Sequence, residues 1–258
     1  NRQWIWQQAD WPNLYWQELQ VQPLLRDVRL RLGVLLGKAG AVGMLTSAEV
    51  PLDTLLQNIV SSSEIEGEEL NVESVRSSLA RKLGVNLAHP HPITARSEGV
   101  AEIMMDAVSN PNQSLTLERL LQWHRCLFPV NEFSLQQVSA GQLRGDEPMQ
   151  VVSGRVDRPR VHFVAPPRDV LDREMECFIG WFNDSLNNAA VDPLLRAAVV
   201  HFYFVTLHPF EDGNGRIARA LTDLALTQAN LQSIRLYTMS PTIMARRSDY
   251  YDRLESCQ

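Results

Sequence analysis

Twelve residues, 208–219, bring together side chains that could transfer a phosphate-containing group. They read HPFEDGNGRIAR. His208 titrates near neutral pH and could act as a general base, and Asp212 offers a hard oxygen ligand that suits Mg²⁺. Gly213 and Gly215 allow the backbone to bring its N–H groups close to an anion. This combination is typical of a nucleotidyl or phosphoryl transfer site.

Two arginines follow in the same stretch, where a helix is predicted to begin. Arg216 and Arg219 are three residues apart, so they share one face of the first helical turn. Positive charge at a helix N-terminus opposes the helix dipole, whereas the free N–H groups of that turn favour an anion. Two arginines in this position therefore indicate a bound phosphate.

The same stretch fits the signature of the Fic family, H-x-F-x-[DE]-G-N-G-R-x-x-R, at every specified position. The chain therefore resembles Fic proteins, in which a helical bundle carries a β-hairpin flap. The resemblance implies transfer of AMP from ATP to a serine, threonine or tyrosine hydroxyl of a target protein, with release of pyrophosphate. Gly215 favours nucleotidyl transfer, since the related Doc-type kinases carry lysine there. The target is unknown and could be the chain itself.

The resemblance also implies a role for each matching residue. His208 would deprotonate the target hydroxyl, Phe210 would anchor the loop in the core, and Asp212 would hold Mg²⁺ between the α- and β-phosphates. The Asn214 side chain would contact phosphate, and Arg219 would bind the γ-phosphate. The residues that would bind the phosphates of ATP through amides or side chains are Gly213, Asn214, Gly215, Arg216 and Arg219.

One hairpin is predicted between residues 141 and 167. Short β-branched runs surround Ser153-Gly154 and Asp157, and Pro166-Pro167 ends the second run. The hairpin fits the flap that holds a target segment by strand addition, main chain to main chain, and GQLR at 141–144 resembles the start of that flap. The predicted target-binding residues are Val151, Val152, Val161, His162 and Phe163.

A second motif lies about 140 residues before the first, in the run SSSEIEGEEL at 61–70. Taken alone, this run predicts a capped and solvated helix end. Many Fic proteins carry an inhibitory helix with the pattern [ST]-x-x-x-E-[GN], which Ser62 to Gly67 matches in a single register. The resemblance implies a salt bridge from Glu66 to Arg219 that occupies the γ-phosphate arginine in the same chain. The glutamates predicted to remain solvated are Glu64, Glu68 and Glu69.

Helical periodicity dominates the remaining sequence and predicts a mainly α fold. The proline-containing loop at 86–94 suggests a division into an N-terminal helical domain, 1–88, and a Fic catalytic core, 89–258. The inhibitory helix is placed at about 55–70. The predicted helices span 23–45, 51–70, 71–85, 95–110, 115–128, 168–186, 192–207 and 215–231, with Asn71 and Asp192 as N-caps.

The sequence also suggests roles for several other aromatic and histidine side chains. RRSDYYDRL at 246–254 resembles the closing helix of the Fic core, so Tyr250 and Tyr251 could line the pocket for the nucleotide base or simply pack that helix. His124 and His201 lie on apolar helices and are predicted to be core histidines. The other histidines lack metal-ligand spacing, so no zinc site is expected.

Composition limits the possible partners. The 258 residues carry a net charge of −6 and three scattered cysteines, which argue against nucleic-acid binding through a basic surface and against a disulfide scaffold. No run approaches the roughly 18 apolar residues of a membrane span. We expect a cytoplasmic protein, with a homodimer possible.

Two alternatives to AMP transfer remain open from the sequence. Glu66 could position a water molecule that removes AMP from a modified protein. The chain could also be a regulatory module that senses a nucleotide without catalysis, although the presence of His208 argues against this.

Overall fold

The fold is mainly helical, as predicted. A computed structural model describes residues 3–42, 49–129, 138–155, 158–188, 190–229 and 236–258. Within these ranges, ten α-helices and one antiparallel pair of strands are present. The helices are α1 (Glu18–Ala41), α2 (Glu49–Ile65), α3 (Val72–Leu83), α4 (Ala95–Ser109), α5 (Leu117–Leu127), α6 (Arg168–Asp184), α7 (Pro193–Leu207), α8 (Asn214–Ala229), α9 (Ser240–Ala245) and α10 (Arg247–Cys257), and the strands are β1 (Gln150–Arg155) and β2 (Arg158–Val164).

Side-chain caps fix the starts of the helices that lead to the site. The Asn71 carboxamide accepts a hydrogen bond of 2.9 Å from the Ser74 amide at the start of α3. Asp192 accepts one of 2.8 Å from the Leu194 amide, and Pro193 occupies the first position of α7. These contacts satisfy amide groups that have no partner inside the helix, and they confirm the two predicted N-caps.

Helix α2 ends at Ile65, five residues before the predicted end of the inhibitory helix. Gly67 has a φ of +77°, and the Glu68 amide donates to the Ser63 carbonyl at 3.0 Å. A glycine in the left-handed region with such a returning hydrogen bond is a common helix terminus. Glu66 therefore lies in the turn after α2 and not on the helix itself.

One hydrophobic core runs through the described helices. Its centre is α7 packed on α8, where Phe204 and Leu224 are fully buried. Leu55 of α2 and Leu79 of α3 belong to the same cluster of buried residues. The predicted boundary between residues 88 and 89 thus crosses a shared core, and the division into 1–88 and 89–258 stays a prediction.

The tryptophans near the N-terminus fasten that segment to the helical body. The Trp6 indole N–H donates to the Val164 carbonyl at 2.7 Å, at the end of β2. Trp11 packs edge-on against Tyr203, with 4.9 Å between ring centroids, and donates to Glu174 at 2.8 Å. The segment therefore contacts both the hairpin and the central helices. None of the helices in the described ranges combines the length and hydropathy needed to cross a bilayer.

Candidate active site

His208 occupies the turn between α7 and α8 in a strained backbone conformation. Its φ is +48° and its ψ is +57°, the left-handed region that a residue with a Cβ seldom adopts. The Nδ1–H group donates to the Val205 carbonyl at 3.2 Å, so the neutral ring keeps its lone pair on Nε2. Burial lowers the pKa of His208, which keeps the ring in its neutral, proton-accepting form at neutral pH.

Arg144 ties the His208 turn to the end of the hairpin. Its amide donates to the Pro209 carbonyl at 2.9 Å, its Nε donates to the His208 carbonyl at 2.8 Å, and its Nη2 donates to the Pro166 carbonyl. Arg144 is 2% exposed, and burial lowers its pKa to about 10, so it stays charged at neutral pH. This is the arginine of the GQLR segment that resembles the start of a Fic flap.

His124 supports the same loop from α5. The Gly141 amide donates to His124 Nδ1 at 2.9 Å, so Nε2 carries the proton and donates to the Asp212 carbonyl at 3.1 Å. The ring is fully buried and stacks on Phe210 with centroids 4.1 Å apart. Burial lowers its pKa. The predicted core histidine is indeed buried, but it also positions the loop, a role that its apolar helix gave no sign of.

The Asn214 side chain holds the loop closed through two hydrogen bonds to the Phe210 backbone. The Phe210 amide donates to Asn214 Oδ1 at 2.9 Å, and Asn214 Nδ2 donates to the Phe210 carbonyl at 2.8 Å. Both polar atoms of this buried side chain are therefore used inside the loop. Phe210, which is fully buried as expected, thus fixes the carboxamide, and the predicted phosphate contact of the side chain stays a prediction.

The N-terminus of α8 faces the Glu66 carboxylate at very short range. A Cβ placed on Gly215 would lie 2.1 Å from Glu66 Oε1, and one on Gly213, whose φ is +81°, would lie 2.9 Å from Leu127. Only glycine at 215 leaves room for an oxygen atom there. The space at this helix N-terminus therefore suits an anion, and a carboxylate lies in it.

Arg219 joins the two motifs that are far apart in the sequence. Its Nη2 donates to Glu66 Oε1 at 2.7 Å, and its Nε donates to the Ser62 hydroxyl at 2.8 Å. Nη2 also donates to the Ser62 carbonyl at 2.8 Å. The Arg219 side chain is 3% exposed and that of Glu66 is 28% exposed. The structure thus brings together three of the predicted residues: Arg219 and Glu66 form a partly buried ion pair, and Ser62 accepts further hydrogen bonds from Arg219.

Glu68 occupies the site as well, although it was predicted to be solvated. Its carboxylate pairs with Arg216 and with Arg96 of α4, and its side chain is only 13% exposed. The prediction for Glu68 is wrong because the turn after α2 brings the chain back across the N-termini of α4 and α8. Glu64 and Glu69 are exposed, in line with the prediction.

The arginines keep unused hydrogen-bond donors. Arg216 is 8% exposed and its guanidinium lies 5.1 Å from the centre of the Phe128 ring. Among the described residues, buried Arg216 Nε and Arg219 Nη1 have no hydrogen-bond partner. Buried donors without partners are costly, so these two atoms fit a ligand rich in oxygen, such as a chain of phosphates.

Asp212 fits the predicted Mg²⁺ ligand. Its side chain is 59% exposed and its Oδ1 lies 3.5 Å from Arg216 Nη2. The described residues contain no cluster of three or more His, Cys, Asp or Glu side chains suited to a metal. Mg²⁺ is commonly held by one or two carboxylates together with water and substrate phosphates, so a single aspartate beside a phosphate site meets that requirement.

The flap has an exposed part and an anchored part. Val152 pairs with Val161, and these side chains are 50% and 37% exposed. Val151 pairs with Phe163, which is 1% exposed and packs edge-on against Trp4 with centroids 5.5 Å apart. The Phe163 side chain therefore anchors the flap, and the predicted target contact of this residue, made main chain to main chain, stays a prediction. Asp157, which belongs to the predicted hairpin, lies outside the described residues.

His162 links the flap to the last helix. Its Nδ1–H donates to Glu255 at 2.7 Å, and its Nε2 lies 2.5 Å from the Ser153 hydroxyl. Arg160 donates to the same glutamate at 3.0 Å. In this arrangement His162 holds β2 against α10, and its predicted contact with a target stays a prediction.

Tyr250 is fixed by a partly buried chain of hydrogen bonds. Burial lowers the pKa of His201 to about 4, so its ring is neutral. Thr222 donates to the Ala218 carbonyl at 2.8 Å, which leaves its oxygen to accept from His201 Nδ1 at 3.1 Å. His201 Nε2 then accepts from the Tyr250 hydroxyl at 2.7 Å. Tyr250 thus packs α10 through this hydrogen bond, Tyr251 is 37% exposed, and the base pocket at these two tyrosines stays a prediction.

Comparison with known proteins identifies the family. Residues 114–226 match the sequence profile described as Fic/DOC family, and residues 4–85 match a domain of unknown function, DUF4172. Residues 114–226 therefore form a Fic domain, and the chain carries an additional N-terminal helical region.

Relatives and a solved structure agree with this assignment. The chain is 23% identical over 205 residues to the protein adenylyltransferase fic-1 of Caenorhabditis elegans, covering 78% of this chain and 36% of that protein. It is 33% identical over 121 residues to a uridine 5'-monophosphate transferase of Xanthomonas campestris pv. campestris (strain 8004), covering 45% of this chain and 22% of that one. The chain thus spans about a third of the length of the first relative.

The fold is shared with a crystal structure of a Fic family protein from Desulfovibrio desulfuricans G20. The TM-score is 0.62 with 24% sequence identity, and the match covers 90% of this chain and 66% of that one. This confirms the predicted helical bundle with one hairpin.

Proposed function

We propose that this chain transfers AMP from ATP to a hydroxyl group of a target protein and that Glu66 inhibits the transfer within the same chain. The observation that carries the proposal is the partly buried Arg219–Glu66 pair at the N-terminus of α8. The relative with protein adenylyltransferase in its name aligns with 78% of the chain, against 45% for the uridine monophosphate transferase. The longer alignment favours AMP.

The site supports the following sequence of events. His208 Nε2 takes the proton of the target hydroxyl, and the resulting oxygen attacks the α-phosphorus. A new P–O bond forms to the target, and the bond from the α-phosphorus to the bridging oxygen breaks, so pyrophosphate leaves with its electron pair. The proton stays on His208. The amides of Gly213 and Gly215 and the side chains of Arg216 and Arg219 stabilise the phosphate charge.

Asp212 would hold the Mg²⁺ ion that the reaction needs. The ion, when bound, neutralises phosphate charge and keeps the leaving pyrophosphate in position. The flap would hold the target by main-chain pairing beside the exposed Val152 and Val161, which brings a hydroxyl to His208. The proposal also includes a base pocket at Tyr250 and Tyr251 and a division of the chain into 1–88 and 89–258.

Inhibition follows from competition for one guanidinium. While Glu66 and Ser62 occupy Arg219, ATP cannot place its γ-phosphate there and its α-phosphorus stays out of line with the hydroxyl. A charge-assisted hydrogen bond contributes about 1.5–3 kcal/mol, which corresponds to roughly 10- to 100-fold in an equilibrium. Removing the Glu66 carboxylate should therefore raise the rate of AMP transfer by that factor.

The test uses ATP labelled at the α-phosphorus and, in parallel, at the γ-phosphorus. Glu66→Gly should raise the transfer of α-label to protein by about 10-fold or more over the wild-type chain, with no transfer of γ-label. The matched control is Glu69→Gly, since Glu69 is an exposed neighbour and its loss should change nothing. Arg219→Ala, which loses the γ-phosphate contact together with the pair, should stay inactive.

Four results would refute parts of the proposal. An unchanged rate in Glu66→Gly refutes the inhibitory role. Transfer of γ-label refutes nucleotidyl transfer, and preferential transfer from labelled UTP refutes the choice of AMP. Equal hyperactivity of Arg219→Ala and Glu66→Gly would contradict the role of Arg219 in binding phosphate.

A further inference from the structure

A third arginine lies beside the two that the Fic signature contains. Arg96 is the second residue of α4, and the Glu68 carboxylate contacts both Arg96 and Arg216. The side chains of Arg216, Glu68 and Arg96 are 7%, 13% and 51% exposed, respectively. One glutamate thus bridges a buried guanidinium deep in the site and a half-exposed one at its edge.

The position of Arg96 is unfavourable unless an anion is present. A cation in the first turn of α4 opposes the helix dipole, and burial, together with the nearby charge of Arg216, lowers the pKa of Arg96. The Glu68 carboxylate supplies negative charge next to both guanidinium groups. Without Glu68, the two guanidinium groups would need another source of negative charge in the same place.

We propose that Arg96 is a third phosphate-binding residue of this site and that Glu68 occupies its place until a nucleoside triphosphate arrives. The inference rests on the proposed function in that the ligand of the site is a nucleotide. It adds a second carboxylate to the one at Glu66, so the segment after α2 fills the positions of two phosphate groups. The phosphate chain exchanges with both glutamates together.

The charges of the site match this exchange. Arg96, Arg216 and Arg219 carry three positive charges, and Glu66, Glu68 and Asp212 carry three negative ones. A nucleoside triphosphate with one Mg²⁺ carries a net charge of about two minus, the same as the two glutamates that it displaces. Partly buried charges are costly when they are unpaired, so the exchange keeps the site balanced in both states.

Two glutamates also explain why removing one of them need not release the site fully. Glu66 pairs with Arg219, whereas Glu68 pairs with Arg216 and Arg96. Loss of Glu66 leaves Arg216 and Arg96 still occupied by a carboxylate. The affinity for ATP should therefore rise in two separate steps.

The experiment measures the dissociation constant of ATP in the presence of Mg²⁺ by isothermal titration calorimetry on the full 258-residue chain. In the Glu66→Gly background, adding Glu68→Gln should tighten binding by about 10-fold, because one charge-assisted competitor is lost. Adding Arg96→Ala to that double variant should weaken ATP binding by about 10-fold and AMP binding far less. The loss should be smaller while Glu68 is present, since the carboxylate then already occupies Arg96.

Matched controls separate this effect from a general change of charge. Glu69→Gln removes a neighbouring exposed carboxylate, and Arg31→Ala removes an arginine on α1 whose side chain is 79% exposed. Both should leave the dissociation constant within about twofold in the same background. Arg96→Lys keeps the charge without the planar fork of the guanidinium group. Its dissociation constant for ATP should lie between those of the variants with Arg96 and with Arg96→Ala.

The outcomes distinguish this inference from the proposed function. If neither Glu68→Gln nor Arg96→Ala changes the dissociation constant of ATP, the third phosphate contact is overturned, even if Glu66→Gly transfers AMP at a high rate. The expected binding pattern without AMP transfer supports the three-arginine site and refutes the proposed activity.

Discussion

At the scale of single residues, the decisive feature is a histidine held neutral beside charged groups. Burial is the largest cause of the lowered pKa of His208, and the charge of Arg144 acts in the same direction. The carboxylates of Glu66 and Asp212 act in the opposite direction. His208 must be neutral to accept a proton, so its proton-accepting form is populated from a pH below its ordinary pKa of 6.5 upwards.

This arrangement predicts the pH dependence of the reaction. In the Glu66→Gly variant, kcat/KM for AMP transfer should rise with pH and level off, with a midpoint below 6.5. Removing Glu66 takes away one influence that raises the pKa, so the midpoint should not move upwards. The measurement is a rate profile between about pH 5 and about pH 8. His208→Ala should be inactive throughout, and a midpoint above 6.5 would contradict a base kept neutral by burial.

The same scale shows what a sequence can and cannot reveal about this site. The sequence predicted His208, Asp212, Arg219 and Glu66 as site residues because they lie in local motifs with fixed spacing. Arg96 was missed because it carries no such pattern: its meaning comes from a contact with Glu68 that exists only after α2 has folded onto α4 and α8.

At the scale of elements, α4 and α5 approach each other so closely that one position accepts only glycine. A Cβ on Gly99 would lie 1.9 Å from the Cys126 carbonyl oxygen of α5. Helix α4 carries Arg96 and α5 carries His124, so the distance between these helices determines where both side chains lie in the site. Sequence periodicity found both helices, but it could not detect the contact.

Gly99→Ala should therefore destabilise the protein. The added methyl group forces the two helices apart, which should lower the free energy of unfolding by about 3 kcal/mol. Gly180→Ala on α6 is the matched control, because nothing lies within 4 Å of its Cβ position; this change should raise the free energy of unfolding by about 0.5–1 kcal/mol. Urea denaturation measures both, and equal stability of the two variants would refute the close contact.

At the scale of the whole molecule, the N-terminal region and the Fic domain share one interior. Leu55 and Leu79, which precede the predicted boundary at residues 88 and 89, lie in the same buried cluster as Phe204 and Leu224. The proline-containing loop at 86–94 predicted the division, because a loop is a local pattern. Whether two parts share a core depends on contacts between distant residues, which no local pattern contains. Such a molecule should unfold in one step.

Trp11 tests that expectation, because it fastens the N-terminal segment to α6 and α7. Trp11→Ala removes the ring contact with Tyr203 and the hydrogen bond to Glu174, and it should lower the free energy of unfolding by about 2–3 kcal/mol. Tyr15→Ala is the control, since Tyr15 is 79% exposed and its loss should change stability by less than about 0.5 kcal/mol.

Scanning calorimetry should show a single transition in both variants, displaced as a whole to lower temperature only in Trp11→Ala, because unfolding of one shared core is cooperative. Two separate transitions, of which Trp11→Ala moves only one, would show that residues 1–88 and 89–258 unfold independently. In that case Glu66 could leave Arg219 by detachment of the N-terminal part. With a single transition, the ion pair must instead open within the folded protein, through a local movement of the turn after α2 or through direct exchange with the phosphates of ATP.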